Sequence, residues 1–460
     1  MGPSKKSPTV VSLFSGCGGL DLGFHQEGFR LVYASDNDPA AVRCYAANID
    51  NNVFLRDVSS QKFHDDVDEI GKCDVVLGGF PCQGFSKAGP KKVADPRNIL
   101  YVEMKRAVER LAPSVFIAEN VDGMSQNFGG EFVDRILNDF RQLGYLVENR
   151  ILQAADFGLP QYRRRIFFVG VKKSVGRAFV WPVPTHSTIN RSGEFIIDHS
   201  NAPLFDILPS ELPRARSIAD AIGDLLENSE GVPDQITTAN WPKQYSHIFR
   251  AVSPGQKLCN VRHAPTSVYT WNIPNVFGPV TERQRLILET ISKNRRHKKY
   301  GSIPNGNPLP VETIQRLSGL TDIVEDVQDL VKKKYLKPID SRYDLLGAMF
   351  CSGLFKRPLW DTPAPTVLTV FDNPRYFVHP LKDRPFTVRE CARLQGFPDT
   401  FRFCEGTNKV AVRDAYRLVG NAVPPPLGRK LAQSVKQIVG GSQSRYKADE
   451  NETPDTQSAA

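Results

Sequence analysis

The chain has 460 residues and a formal net charge of +9 at pH 7, with a composition ordinary for a soluble globular protein. It is long enough to bury a full core and to form two domains. No apolar run approaches the ~18 residues of a membrane helix, and the opening MGPSKKSPTVVSLF lacks a signal-peptide core, so a cytoplasmic chain is expected, nucleoid-associated if the host is bacterial.

Residues 1–171 alternate short apolar runs with amphipathic stretches, the pattern of an α/β sheet. Thr9–Phe14 reads as a first strand, followed by the turn Gly16-Cys17-Gly18-Gly19 and a helix carrying Leu20 and Phe24. Phe29–Ala34 reads as a second strand leading to Asp36, and Val53–Leu55 as a third leading to Asp57. Cys73–Gly78 reads as a fourth, followed at once by Gly79-Phe80-Pro81-Cys82, and Ser114–Ala118 as a fifth ending at Glu119. Strands near Tyr145–Leu152 and Arg165–Val171 complete the lobe.

Between about 172 and 380 prolines are frequent and periodicity is weak, apart from a helix over Glu282–Ser292. Helical patterning resumes over Val388–Gln395 and Pro426–Ile438, and the polar tail 440–460 reads as disordered. The expected organisation is a catalytic lobe (1–171), a smaller second domain (172–380), a return to the first lobe (381–439) and the tail.

Charge is unevenly placed. Residues 201–240 hold two Lys or Arg against seven Asp or Glu, whereas 241–300 hold eleven against two. Such a run is either a solvated face or a phosphate-facing one. The eight cysteines contain no C-x-x-C pair, and Cys259 with His263 lacks a second ligand pair, so no metal site is expected. For each cysteine a small buried hydrophobe is the default, and context must single one out.

A strand, a glycine turn, a helix and then an acid at the next strand's end is the logic of a nucleotide-binding crevice. Asp36 stands twenty residues after Gly16, placed to accept bonds from ribose hydroxyls. The spacing G-C-G-G is not G-x-G-x-x-G and offers no pyrophosphate cradle, which favours an adenosine ligand without phosphates over a nicotinamide dinucleotide. Asp57 is either a contact to the adenine amine or a helix cap.

Cys82 follows a proline at the carboxyl edge of the sheet, where open α/β folds bind ligands. Gly84 and Gly89 would let the segment 83–98 close over a substrate. A thiol there suits methylation of a reluctant carbon. Thiolate addition to C6 of cytosine makes C5 nucleophilic enough to take a methyl group, dividing one hard step into easier ones. Amine methyltransferases present Pro-Pro-aromatic at this position, and this chain has Pro-Cys. Glu119 is then the acid that donates to N3, and Arg163 and Arg165, alternating onto one strand face, would hold a phosphate and the cytosine carbonyl oxygen.

Taken together, these segments resemble the DNA cytosine-5 methyltransferase family. Phe14-Ser15-Gly16-Cys17-Gly18-Gly19 is similar to its cofactor motif and Gly79-Phe80-Pro81-Cys82-Gln83-Gly84 to its catalytic motif. Glu119-Asn120-Val121, Gln161-x-Arg163-x-Arg165, Arg389-Glu390-x-Ala392-Arg393-Leu394-Gln395 and Gly420-Asn421-Ala422-Val423-Pro424 follow in the family's order. The resemblance implies a Rossmann-like S-adenosylmethionine-dependent methyltransferase sheet with one antiparallel edge strand and a smaller target-recognition domain. It implies a cofactor site lined by Phe14, Gly16, Gly18, Gly19, Asp36, Asp57, Val58, Pro81, Leu100, Asn421 and Val423. Asn37 stands where some members carry an aromatic that stacks on adenine. S-adenosylhomocysteine is the implied product, with no metal required.

The implied partner is double-stranded DNA, from which the target cytosine must be flipped. Ser86 and Lys87, together with Arg283, Arg285, Lys293, Arg295, Arg296, Lys298 and Lys299, are the candidate DNA contacts. A monomer on DNA, accompanied by a restriction endonuclease for the same site, fits this type. A transfer-RNA methyltransferase shares the chemistry, but that branch usually shows Pro-Pro-Cys and a Cys-Phe-Thr signature. A silent homologue has no chemical reason to keep Cys82, Glu119, Arg163 and Arg165 together.

Overall fold

A computed structural model describes residues 7–81, 100–125, 130–188, 212–238, 244–346, 353–404 and 410–440. The chain folds into two compact units. The first comprises 1–157, 164–213 and 422–460, and the second comprises 158–163 and 214–421.

The first unit is built on a seven-stranded sheet of order β3-β2-β1-β4-β5-β8-β6. Its strands are β1 (Thr9–Leu13), β2 (Arg30–Asp36), β3 (Val53–Leu55), β4 (Val75–Gly78), β5 (Val115–Val121), β6 (Tyr145–Gln153) and β8 (Arg164–Lys172), while β7 (Gln161–Tyr162) belongs to the second unit. β1 through β5 run parallel. Their apolar runs are continuous rather than alternating because helices cover both faces, and Val10, Val11, Val75, Val76, Phe116 and Ile117 are fully buried. β8 is antiparallel to both β5 and β6. The antiparallel strand therefore lies one place in from the edge, and β6 takes the edge position expected for it.

Strand order reverses between β1 and β4. The crevice at their carboxyl ends is the switch point where open α/β sheets bind ligands. Around the sheet lie α1 (Gly19–Gln26), α2 (Pro39–Asn48), α3 (Gln61–Ile70), α4 (Leu100–Leu111) and α5 (Glu131–Gln142). Asp38 caps α2 by accepting from the Ala40 amide, with Pro39 already set for the first turn. Ser60 caps α3 by accepting from the Phe63 amide.

The C-terminal helix, Pro425–Val439, packs on α1 with its backbone in contact. A Cβ at Gly23 would fall 2.2 Å from the Arg429 nitrogen, and one at Gly428 would fall 2.8 Å from the Leu20 oxygen. At the rim of this contact, Glu27 accepts from Arg429 Nε at 2.7 Å and Gln433 Nε2 at 3.0 Å.

The second unit contains α6 (Glu282–Asn294), β9 (Leu309–Pro310), α7 (Val311–Ser318), α8 (Val324–Lys332), β10 (Leu336–Ile339), β11 (Arg342–Leu345), β12 (Ala364–Pro365), α9 (Val388–Gln395) and α10 (Val412–Asn421). The chain returns to the first unit at Ala422, later than the expected 381. The reason lies in α9. Arg389 is buried and donates to Asp234 Oδ2 at 3.0 Å, while Asp234 also accepts from the amides of Phe403 and Cys404. A buried pair satisfied this fully ties 388–404 to the 233–236 segment. The tail 441–460 lies outside the described residues.

Candidate active site at the carboxyl edge of the sheet

The glycine turn after β1 is locked to the end of β2. Asp36 Oδ2 accepts from the Gly16 amide at 2.8 Å and Oδ1 from the Asp38 amide at 2.9 Å. The Ser15 amide donates to the Ser35 oxygen at 3.0 Å. Phe14 adopts φ +54°, a conformation that bulky residues rarely hold and that marks a constrained strand tip. Gly18, at φ +86°, has no room for a side chain, because a Cβ there would lie 2.2 Å from Ile49 Cδ1. At Gly16 the opposite holds, and a Cβ would meet nothing within 4 Å. The turn is thus packed beneath and open above.

At the tip of β3, Asp57 is exposed and its Oδ1 accepts from both the amide and the hydroxyl of Ser59, which holds the carboxyl below its usual range. The helix cap considered for Asp57 is supplied by Ser60. Val58 is buried beside it. Pro81 and Leu100 are half-buried at the two ends of the 82–99 segment, and Val423 presents its carbonyl to Gly19, 2.2 Å from where a Cβ would stand. The acidic rim of Asp36 and Asp57 is hostile to phosphates and suited to hydroxyls, an amine or a sulfonium. The residues present therefore fit S-adenosylmethionine.

β5 extends through Val121, so Glu119 lies within a strand rather than beyond it. The antiparallel register pairs Glu119 with Phe167 and Val121 with Arg165, which puts Glu119 and Arg165 on one face as diagonal neighbours. Arg165 Nε sits 2.9 Å from Glu119 Oε1, both side chains largely buried. The other Glu119 oxygen, Oε2, lies near Gly79, where a Cβ would stand 3.5 Å away. Arg164 points elsewhere, with its Nε 3.6 Å from Asp122 Oδ2.

Between Glu119 and Val121, Asn120 is buried and reaches across to the catalytic-motif segment. Its Nδ2 donates to the Phe80 carbonyl at 2.9 Å, and its Oδ1 accepts from the Val121 amide at 2.8 Å. Sequence reasoning placed Asn120 in a motif without giving it work. The available signal was an amide side chain at a buried strand position, which must find partners. Cys82, Ser86 and Lys87 lie outside the described residues.

In the second unit Arg163 is 1% exposed and donates to the Val367 oxygen at 3.2 Å and the Gly420 oxygen at 2.9 Å. Gln161 joins the same brace, donating to the Gln395 side chain at 2.6 Å and accepting from the Val367 amide at 2.8 Å. The alternation expected across Arg163–Arg165 is broken, because β7 ends at Tyr162 and β8 starts at Arg164. The guanidinium is turned inward onto main-chain carbonyls, so in this structure Arg163 braces 161–163 against Val367 and Gly420. Asn421 ends α10 and is exposed.

The basic run divides in a similar way. Arg295 is buried in a bidentate pair with Asp344, both bonds 2.7 Å, and so cannot reach a phosphate. Arg283 donates to Asp326 at 3.1 Å and to the Thr321 oxygen at 2.8 Å. Arg285 and Lys293 pair with Glu282 and Glu289 along α6. Arg296, Lys298 and Lys299 are exposed. His263 Nδ1 meets the Tyr269 hydroxyl at 2.6 Å. Among the described residues no three His, Cys, Asp or Glu side chains gather as a metal site would need, and no helix is long and apolar enough to cross a membrane.

This switch-point crevice, with a locked glycine turn and a buried Glu–Arg pair at adjacent strand tips, defines an α/β group-transfer enzyme. Residues 8–437 match the family model of the C-5 cytosine-specific DNA methylases, and the chain belongs to that family. It is 30% identical over 446 residues to the type II methyltransferase M.AgeI of Thalassovita gelatinovora, covering 94% of this chain and 99% of that one. It is 29% identical over 436 residues to the type II methyltransferase M.NgoFVII of Neisseria gonorrhoeae, covering 95% of this chain and 88% of that one. Among solved structures, a prophage-encoded E. coli protein described as a DNA modification methyltransferase aligns with a TM-score of 0.53 and 25% identity, over 95% of this chain and all of the other. The family's reaction is methylation of cytosine C5 in DNA.

Proposed function

We propose that this chain methylates one cytosine within a specific double-stranded DNA sequence through a covalent adduct between Cys82 and C6, as a monomer partnered by an endonuclease of the same specificity. The observation that carries the reading is the Glu119–Arg165 pair at 2.9 Å, on β5 and β8, with β5 the direct neighbour of the strand β4 that leads toward Cys82. A carboxyl braced by a guanidinium, with its Oε2 turned toward Gly79 in the motif that carries Cys82, is a set of groups with no use at a purely structural crevice.

S-adenosylmethionine supplies an electrophilic methyl group, and Phe14, Gly16, Gly18, Gly19, Asp36, Asp57, Val58, Pro81, Leu100, Asn421 and Val423 are the residues that would hold it. The target base is flipped from the duplex, because C5 is inaccessible within the stack. Cys82 thiolate forms the S–C6 bond and pushes an electron pair toward C5 and N3. Glu119 donates a hydrogen bond to N3, and Arg165 fixes Glu119 and can reach the cytosine carbonyl oxygen. After C5 takes the methyl group, a base removes the C5 proton, the C5–C6 double bond re-forms and the thiolate leaves.

Incubation with labelled S-adenosylmethionine and mixed-sequence DNA, followed by bisulfite sequencing, tests activity and target together. Label in duplex DNA at one recurrent sequence is expected. Transfer to transfer RNA with none to duplex DNA would overturn the proposal.

A further inference from the structure

Residues 281–346 have the architecture of a helix-turn-helix followed by a hairpin wing. α7 and α8 are joined across Gly319–Ile323, with Gly319 in the left-handed conformation that ends α7. α6 packs across both helices, and Ile287, Leu288 and Ile291 meet Ile314, Val327 and Leu330 in one core. The three short strands form an antiparallel sheet of order β9-β11-β10. The β10–β11 turn is Asp340-Ser341, with φ +46° and +62°, a two-residue turn whose twist suits a hairpin. In modules of this kind the second helix is the element that enters the DNA major groove.

The charges on that helix decide what it could meet. Two of its acids are internally engaged. Asp326 accepts from Arg283 at 3.1 Å, and Asp329 accepts from Gln284 and from Lys333, each at 2.7 Å. What remains exposed on α8 is Val324, Glu325, Gln328 and Lys332, followed by Lys334; on the hairpin Lys337 and Arg342 are exposed together with Pro338, Asp340 and Ser341 at and beside its turn. A protein-binding core would want aromatic and aliphatic residues there. A face of amide, carboxylate and lysines matches a DNA interface, where lysines track phosphates and glutamine reads adenine.

We propose that this module docks on double-stranded DNA through α8 and the hairpin, with Lys332 and Lys337 on phosphates and Gln328 toward a base edge. The proposal rests on the reading of the chain as a DNA methyltransferase, and it assigns the contact to residues other than the 293–299 run.

The test measures binding of the full chain to duplex DNA carrying its mapped site, across a salt series. The double variant Lys332→Glu, Lys337→Glu is compared with Lys62→Glu, Lys72→Glu, which changes net charge equally on the first unit. The first pair is expected to weaken binding about tenfold or more and to flatten the slope of log affinity against log salt by about two. The second is expected to change neither. Should charge reversal disturb folding, as read by the unfolding midpoint, Lys332→Ala with Lys337→Ala carries the same expected flattening. Unchanged affinity and slope, or equal effects from both pairs, would overturn the proposal. Methyl transfer by the unaltered chain is measured on the same duplex. Transfer with unaffected binding by the Lys332 and Lys337 variants rejects the module alone, whereas absence of transfer to any duplex rejects the methyltransferase reading.

Discussion

Arg165 and Glu119 meet at 2.9 Å because the β5–β8 register makes them diagonal neighbours on one face of the sheet. Neither is positioned by a loop. If the two act as one unit, their losses will not add. Glu119→Gln and Arg165→Met are each expected to lower the single-turnover methylation rate about 10²- to 10⁴-fold, with the double variant barely slower than the worse single. A double equal to the product of the two singles would show that they work separately.

Asn120 predicts a different signature. Its bond to the Phe80 carbonyl holds the main chain two residues before Cys82. Small misplacements of a nucleophile are costly. Asn120→Ala is expected to slow turnover about 10²-fold and to slow covalent trapping by 5-fluorocytosine DNA in step, with DNA affinity unchanged. Trapping at the normal rate would remove Asn120 from the positioning of Cys82.

Within the second unit, the Arg295–Asp344 pair is a matter of stability. Asp344→Ala strands a buried guanidinium and is expected to cost about 3–5 kcal/mol, read by denaturant unfolding. Replacing both residues with apolar side chains of similar volume should recover most of that loss. If Arg295 served DNA instead, Asp344→Ala would leave stability alone.

Two buried groups give opposite pH responses. Asp21, on α1, is pushed up to about 7 by burial, with the hydroxyls of Ser12 and Tyr45 as polar neighbours. Its folded form prefers the proton, so its stabilising contribution is present below about pH 4 and is lost as pH rises toward 7. Asp21→Asn should therefore stabilise the chain at pH 8 and have little effect at pH 4. His379 is pushed down to about 4, chiefly by burial. Its Nδ1 accepts from the amides of Leu381 and Lys382, both at 3.1 Å, which leaves the proton on Nε2 facing Glu390. A second proton would have to go onto Nδ1, which the two amides already occupy; the unfolded chain takes it up more readily, so stability falls as pH drops from about 6.5 to about 4, by up to about 1.4 kcal/mol per pH unit. His379→Asn should flatten that acid limb when unfolding midpoints are followed against pH.

The sheet and its strand tips were legible because buried parallel strands write continuous apolar runs and their ends carry Gly, Pro or acids. Asp36, Glu119 and Arg165 stand where that pattern puts them. The inward turn of Arg163 is not legible because alternation holds only inside a strand, and the strand breaks at that residue. The burial of Arg295 is not legible because a basic run looks uniform, and only the distant Asp344 reveals which guanidinium turns inward. The module over 281–346 is not legible in the sequence because its strands are two to four residues long. Too few positions remain to show a period, and the pairing that defines it joins residues more than thirty apart.

The contact of Gly23 with the helix Pro425–Val439, and of Gly19 with Ala422 and Val423 just before it, bears on how the molecule is made. The first strand and helix leave the ribosome early, but their packing partner begins at Pro425. A nascent chain that stops short of Ala422 has no means of closing its first unit, so premature termination would yield an exposed glycine face on α1 rather than a partly working enzyme. Joining the two segments through a short linker and opening the chain elsewhere should preserve the fold, since the layout ties β1 and α1 to the helix Pro425–Val439.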